Sequence, residues 1–289
     1  MHFADALTAK VRKISPVCVG LDPQMEKLPK GIRKDLEGMK TFCRGIMDAV
    51  QNLASCIKPN LAFFETLGWE GMKLFFELCS EAKERGFIVI ADGKRSDIGN
   101  TAAAYAAAYL GVDKPIDALT VNAYLGSDGV SPFLRQCSEH DKGIFVLVKT
   151  SNASSGELQD LPVGDEMVHE HLSHLVESWG KDCLGMESKL SCVGAVVGAP
   201  YPEELKYLRT TMPHIPFLIP GYGAQGGTAR EAALGFIPDG TGAIVNASRS
   251  IMYASAGEDW KEAAQHAAEA MAADLKEALN ARKRDTNLQ

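Results

Sequence analysis

Two lysines and two aspartates, Lys58, Asp92, Lys94 and Asp97, stand at the ends of two short apolar runs and could together hold and polarise an anionic small molecule. Lys58 follows SCI and precedes Pro-Asn, and the other three lie in ADGKRSDIGNT. Asp92 and Lys94 are two residues apart, so on a strand their side chains point to the same face. Asp97 follows as the chain turns toward the next helical stretch, and Lys58 projects from the neighbouring strand. Four charges of alternating sign that converge keep one another ionised. Any one of them alone reads as a helix cap or a solvated loop charge. Four at the same end of adjacent strands read as a site, because buried lysines and paired charges gather where chemistry is done.

A second cluster fits a phosphate. Gly221, Gly223 and Gly226 satisfy GxGxxG, and NASRS places Arg249 further on. As a dinucleotide fingerprint the glycines are weak, since that motif belongs to a first strand–helix turn and is answered by an acid at the end of the next strand. Here they follow a late strand, and the next one ends in Asn-Ala-Ser-Arg. Glycine amides that approach closely, with a bidentate guanidinium beside them, suit a phosphate group instead. His169, His171 and His174 (HEHLSH) are spaced i, i+2, i+5, which does not align three ligands on one helix face, so a solvated helix face is expected and no metal site. HExxH, P-loop and GxSxG patterns are absent from the sequence.

The elements that must position these residues alternate. Apolar, β-rich runs at 17–21, 55–59, 87–92, 118–121, 144–149, 192–197, 217–220 and 243–246 are mostly continuous rather than alternating, as parallel strands buried on both faces are. Helical stretches are expected at 34–53, 66–85, 98–110, 130–138, 163–181, 202–211, 228–234 and 259–283, with a helical stub at 3–11. Strict alternation implies a parallel sheet, open or closed. Eight strands in 289 residues favour a closed (β/α)8 TIM barrel, one domain over 1–289, with 284–289 a frayed tail. In such a barrel function gathers at the C-terminal ends of the strands, where the charged cluster and the candidate phosphate site fall and the three histidines do not. The non-periodic stretch 150–162 (TSNASSGELQDLP) is long for a strand–helix connection and reads as a lid.

Composition narrows the partners. The net charge of −7 disfavours nucleic acid and anionic membranes, so an anionic ligand needs a local basic cluster. No apolar stretch approaches the roughly 20 residues of a membrane span, and MHFADALTAKVRK lacks the apolar block of a secretory signal, so a cytoplasmic protein is expected. Seven cysteines without a CxxC pair, several inside apolar runs, read as reduced core thiols rather than a zinc site or disulfide framework.

With these residues in place, DGKRSDIGNTA, IKPN, PGYGAQGG and NASRSI resemble the orotidine 5′-phosphate decarboxylase family, in particular its longer bacterial form, from Leu21 to Ile251. Asp-x-Lys-x-x-Asp alone is shared with sugar-phosphate relatives; the Ile-Gly-x-Thr extension and the Pro-Gly-x-Gly-Ala-Gln-Gly-Gly loop narrow the match. The resemblance implies decarboxylation of orotidine 5′-monophosphate to UMP, the last step of de novo UMP synthesis, without metal, flavin or pyridoxal. It implies that Lys58, Asp92, Lys94 and Asp97 form the catalytic array, with Lys94 the proton donor to C6 of the pyrimidine. Asp22 and Lys58 would bond ribose hydroxyls, Ser151 the pyrimidine edge, and Pro220 would pack by the base. Gln225 would bridge base and phosphate, and Arg249 would grip the phosphate. Asp97, Ile98 and Thr101 would reach into a partner subunit's site, so a homodimer is implied. The stretch after Ser151 reads Asn-Ala-Ser-Ser-Gly, unlike the compact form's His-Pro-Gly, and the segment 23–54 is long. Two other readings stand beside this one. The first is a metal-dependent sugar-phosphate decarboxylase or synthase of the same superfamily, which needs an acid where Lys58 stands. The second is a non-catalytic phosphate-binding barrel.

Overall fold

The computed structural model describes residues 1–223 and 226–286. Its strands are β1 (Val17–Leu21), β2 (Cys56–Pro59), β3 (Ile88–Arg95), β4 (Ala118–Val121), β5 (Gly143–Lys149), a small antiparallel pair β6 (Pro162–Val163) and β7 (Glu166–Met167), then β8 (Val193–Val197), β9 (Phe217–Ile219) and β10 (Ala243–Ala247). All but the small pair form one closed parallel barrel in the order β1-β10-β9-β8-β5-β4-β3-β2. Val17 opposite Val245 and Cys18 opposite Cys56 close the ring, which settles the choice between an open and a closed sheet.

The helices are α1 (Phe3–Lys13), α2 (Leu36–Val50), α3 (Leu61–Glu65), α4 (Gly68–Glu84), α5 (Gly99–Leu110), α6 (Gly126–His140), α7 (Gly156–Gln159), α8 (Val168–Gly180), α9 (Pro202–Thr211), α10 (Ala229–Ala233), α11 (Arg249–Met252) and α12 (Trp260–Thr286). Asp35 caps α2 by accepting the Gly38 amide at 2.8 Å, and Thr228 with Glu231 makes a capping box for α10.

Alternation along the strands divides the core in two. Alternate strand residues face opposite ways. One set, among them Cys56, Ile90, Phe145 and Ile244, comes from all eight barrel strands and clusters with Phe3, Leu7 and Val11 of α1. This is the barrel interior, closed at the N-terminal end by α1, with the Phe3 ring edge-on to Phe145 at 6.0 Å. The other set, such as Val19, Ile57 and Val89, packs outward under the helices. Two residues beyond Cys56, Ile90, Ala118 and Ile244 on the inward set stand Lys58, Asp92, Thr120 and Asn246. The interior is therefore apolar below and polar at the C-terminal mouth.

Several sequence expectations need correction. The third strand runs to Arg95, so Asp92 lies inside a strand and caps no helix. The helix expected at 66–85 is α4, which starts at Gly68 (φ 65°), and a short helix that was not expected, α3, precedes it. The stretch 163–181 becomes helical only at Val168, since the β6–β7 turn at Gly164 takes its first residues. The last helix, α12, continues to Thr286, three residues past the expected end at 283, and 287–289 lie outside the described residues. Cys183 and Cys192 are not separate thiols but a disulfide pair, with Cα atoms 5.9 Å apart, drawn together where Leu184 bridges Ser191 in the turn before β8. Cys18, Cys43, Cys56, Cys79 and Cys137 are free and buried. No helix of the described residues is long and apolar enough to cross a membrane.

Candidate active site

The inward line of β3 and its neighbour from β2 build the centre of the mouth. Asp92 is buried and receives two ammonium groups: Lys58 Nζ donates to Oδ2 at 2.6 Å and Lys94 Nζ to Oδ1 at 2.6 Å. Burial alone would raise the Asp92 pKa, but the two cations outweigh it and hold the carboxyl far below its usual range. Burial likewise opposes the charge on Lys58, and Asp92 and Asp22 overcome it, so Lys58 is raised above an ordinary lysine. The two lysines differ in access. The Lys58 and Asp92 side chains are 6% and 9% exposed, whereas Lys94 is 50% exposed and is the more open of the two cations.

A bulge sets the direction of Lys94. Ala91 pairs with Leu119 and Arg95 with Val121, so four steps along β3 match two along β4. Lys94 sits at φ 46°, in the left-handed region that disfavours side-chain-bearing residues, and such strain clusters at functional sites. Thr120 stabilises it from β4. Its hydroxyl accepts the Lys94 amide at 2.9 Å and donates to Asp92 Oδ1 at 3.0 Å. Thr120 escaped the sequence reading, because a buried strand threonine carries no signal beyond β propensity; its place two residues past Ala118 on the inward set was the only pointer.

Asp22, Lys58, Asp92, Ser151, Pro220 and Arg249 line one cavity of about 340 Å³. An adjoining cavity of about 410 Å³ shares Lys58, Asp92, Ser151 and Pro220, and adds Lys94, Thr120 and the apolar floor of Leu147, Val196 and Leu218. The two make one trough, polar at the Arg249 end and apolar beyond Lys94. Asp22 keeps Oδ1 buried with no protein hydrogen bond among the described residues. Tyr253, another residue missed, orders the loop that carries it: its hydroxyl donates to the Asp22 carbonyl at 3.2 Å and accepts the Gln24 amide at 2.8 Å. Gly20 has no alternative at its position, since a Cβ there would collide with the Ser248 hydroxyl.

Asp97, Ile98 and Thr101 line neither cavity of this chain. The expected convergence of four charges is thus a convergence of three. Past Arg95 the chain leaves the barrel, and Asp97 turns its Oδ1 to the amide of its own neighbour Ile98 at 2.8 Å. Ile98 is 55% exposed and Thr101 is exposed. Gln225 lies outside the described residues. The glycines flanking it, Gly221, Gly223 and Gly226, all have positive φ (96°, 69° and 90°), which only glycine adopts readily. His169 departs from the solvated face expected of it. With α8 beginning only at Val168, it lies in the first turn, buried, with Nδ1 2.8 Å from the Gln159 carbonyl; His171 and His174 stay exposed near Glu166.

The family model for "Orotidine 5'-phosphate decarboxylase / HUMPS family" matches residues 15–267. Orotidine 5′-phosphate decarboxylase of Rhodopirellula baltica is 46% identical over 280 residues, 91% of this chain and 92% of that protein. The protein of the same name from Roseiflexus castenholzii is 42% identical over 286 residues, 97% of this chain and 98% of its own. The structure of Leishmania donovani OMP decarboxylase superposes with a TM-score of 0.80 at 32% identity, covering 96% of this chain and 99% of that one. Barrel, charged array and relatives agree, and the chain belongs to the orotidine 5′-phosphate decarboxylase / HUMPS family.

Proposed function

We propose that this barrel decarboxylates orotidine 5′-monophosphate to UMP and CO2, the closing step of de novo pyrimidine nucleotide synthesis, with no cofactor. The carrying observation is Asp92 gripped at 2.6 Å by both Lys58 and Lys94 where the polar and apolar halves of the trough meet. With the phosphate at Arg249 and the 221–227 amides, the pyrimidine lies over Leu147, Val196 and Leu218, and C6 faces Lys94. Asp22 and Lys58 take ribose hydroxyls, the buried unpartnered Oδ1 of Asp22 being suited to one. Ser151 meets the base edge, Pro220 packs beside it, and Gln225 spans base and phosphate. The C6–carboxylate bond breaks, CO2 leaves, and the electron pair stays on C6 with no π system to spread it. The ammonium of Lys94, aimed by the bulge, stabilises that charge and then gives C6 its proton, to be replaced from water. Asp92, beside the departing carboxylate, adds repulsion in the ground state. Mixing purified protein with orotidine 5′-monophosphate tests the reading: its absorbance should fall to that of UMP, while a 3-keto sugar phosphate with Mg²⁺ should remain unconsumed.

The metal-dependent sugar-phosphate alternative fits poorly. Each Asp92 oxygen already takes an ammonium, and a lysine at position 58 repels a divalent cation. A non-catalytic phosphate-binding barrel would have no use for the strained, bulge-held Lys94.

The whole of 1–289 acts as one domain and works as a homodimer with shared sites. Supporting this, α5 exposes Ala103, Ala104, Tyr105, Ala107 and Ala108, and Ile98 just before α5 and Leu125 just before α6 are exposed as well. An apolar face of this kind calls for a partner. Asp97, Ile98 and Thr101, on the same segment, then enter the partner's trough. Lys94→Ala and Asp97→Ala chains should each be nearly inactive alone. Random reassembly makes about half the dimers mixed, and in each mixed dimer one site is wholly wild type, so about a quarter of all sites should recover. No recovery, with subunit exchange verified independently, contradicts the shared site. A cytoplasmic location accords with nucleotide synthesis.

A further inference from the structure

We infer that Gln159 is a positioning residue for the base-binding wall: its side-chain amide fixes Thr150, and through it Ser151. The inference rests on the reading that Ser151 meets the pyrimidine. Thr150 follows the last residue of β5, and its amide donates to Gln159 Oε1 at 2.9 Å. Gln159 Nε2 donates back to the Thr150 hydroxyl at 2.8 Å, and that hydroxyl donates to Asn152 Oδ1 at 2.6 Å. The orientation of the amide is forced, because only its carbonyl oxygen can take the Thr150 N–H. The three bonds then form one relay in which each N–H or O–H named meets an acceptor oxygen.

Gln159 is itself held at both ends of its residue. Its carbonyl oxygen lies 2.8 Å from His169 Nδ1. The next residue, Asp160, pairs with the ammonium of Lys149, a fully buried lysine that also lies 4.6 Å above the Tyr201 ring. Two successive residues of the strand end, Lys149 and Thr150, thus grip Asp160 and Gln159 in antiparallel order. The charge of Lys149 is committed to this clasp rather than to a ligand. On the opposite side, Ser151 is backed by Gly198, where a Cβ would come within 3.1 Å of both Cα and Cβ of Ser151. Gln159, Thr150 and Ser151 all line the base end of the trough. Residues 150–160 are therefore a braced wall, and Gln159 is the brace that sets where Ser151 stands.

The test compares two ligands that differ only in the base. UMP and ribose 5-phosphate binding are measured by calorimetry for wild type, Gln159→Met, Gln159→Glu and Ser151→Ala. Gln159→Met keeps the length of the side chain and removes both bonds. It should weaken UMP about tenfold, the loss that two ordinary hydrogen bonds account for, and leave ribose 5-phosphate within about twofold. Gln159→Glu retains the acceptor for the Thr150 amide and should fall between. Ser151→Ala should also weaken UMP alone. If Ser151→Ala loses UMP selectively while both Gln159 variants bind like wild type, the positioning role is overturned and the Ser151 reading stands. If Ser151→Ala binds both ligands like wild type, the Ser151 reading fails and this inference with it. Equal weakening of both ligands by the Gln159 variants would mean a general structural defect and overturn the role.

Discussion

Lys94→Ala is expected to lower turnover of orotidine 5′-monophosphate by about four orders of magnitude, because one ammonium supplies both charge stabilisation and the proton. The protein should still fold. The Lys94 side chain is half exposed, so its loss opens no core cavity, and Asp92 keeps Lys58 and the Thr120 hydroxyl as partners. Circular dichroism near wild type and retained UMP binding should accompany the inactivity. More than about a tenth of the wild-type rate would exclude Lys94 from a role worth several kcal/mol.

Arg249→Ala is expected to reduce kcat/KM for the phosphorylated substrate by about two to three orders of magnitude. Arg249 opens α11 directly after β10 and lines the polar end of the trough with Gly221 and Asp22. It stands at the opposite end from Lys94, which lines the adjoining cavity. Its contribution therefore comes from holding the phosphate while C6 reacts at a distance. Turnover of orotidine, which has no phosphate, should change little. Equal losses on both substrates would remove the arginine from phosphate recognition.

The parts of this site that could be read in the sequence are those set by strand periodicity. Ile88, Ile90 and Asp92 fall on one face because alternate residues must, and eight strand-like runs in 289 residues favour a barrel, whereas Lys94 reaches the same mouth through the β3 bulge. Lys58 follows in the same way from Cys56. What periodicity could not give depends on paths between elements. Asp97 is only three residues from Lys94, yet the chain has turned out of the barrel by then. The β3 bulge and its Thr120 support arise from pairing with β4, which no single strand encodes. Lys149 was visible at a strand end, but its partner Asp160 is fixed by the course of the 150–167 segment. The pairing of Cys183 with Cys192 likewise required the turn that precedes β8.

The central claim, that Lys94 carries a C6 carbanion to protonation without any cofactor, is tested most directly by turnover of chelator-stripped enzyme in D2O. Protein dialysed against EDTA should match untreated protein in the same solvent. Each orotidine 5′-monophosphate consumed should yield one CO2 and one UMP bearing a single deuterium at C6. A rate that collapses on chelation and returns with Mg²⁺, or UMP without deuterium at C6, would contradict it.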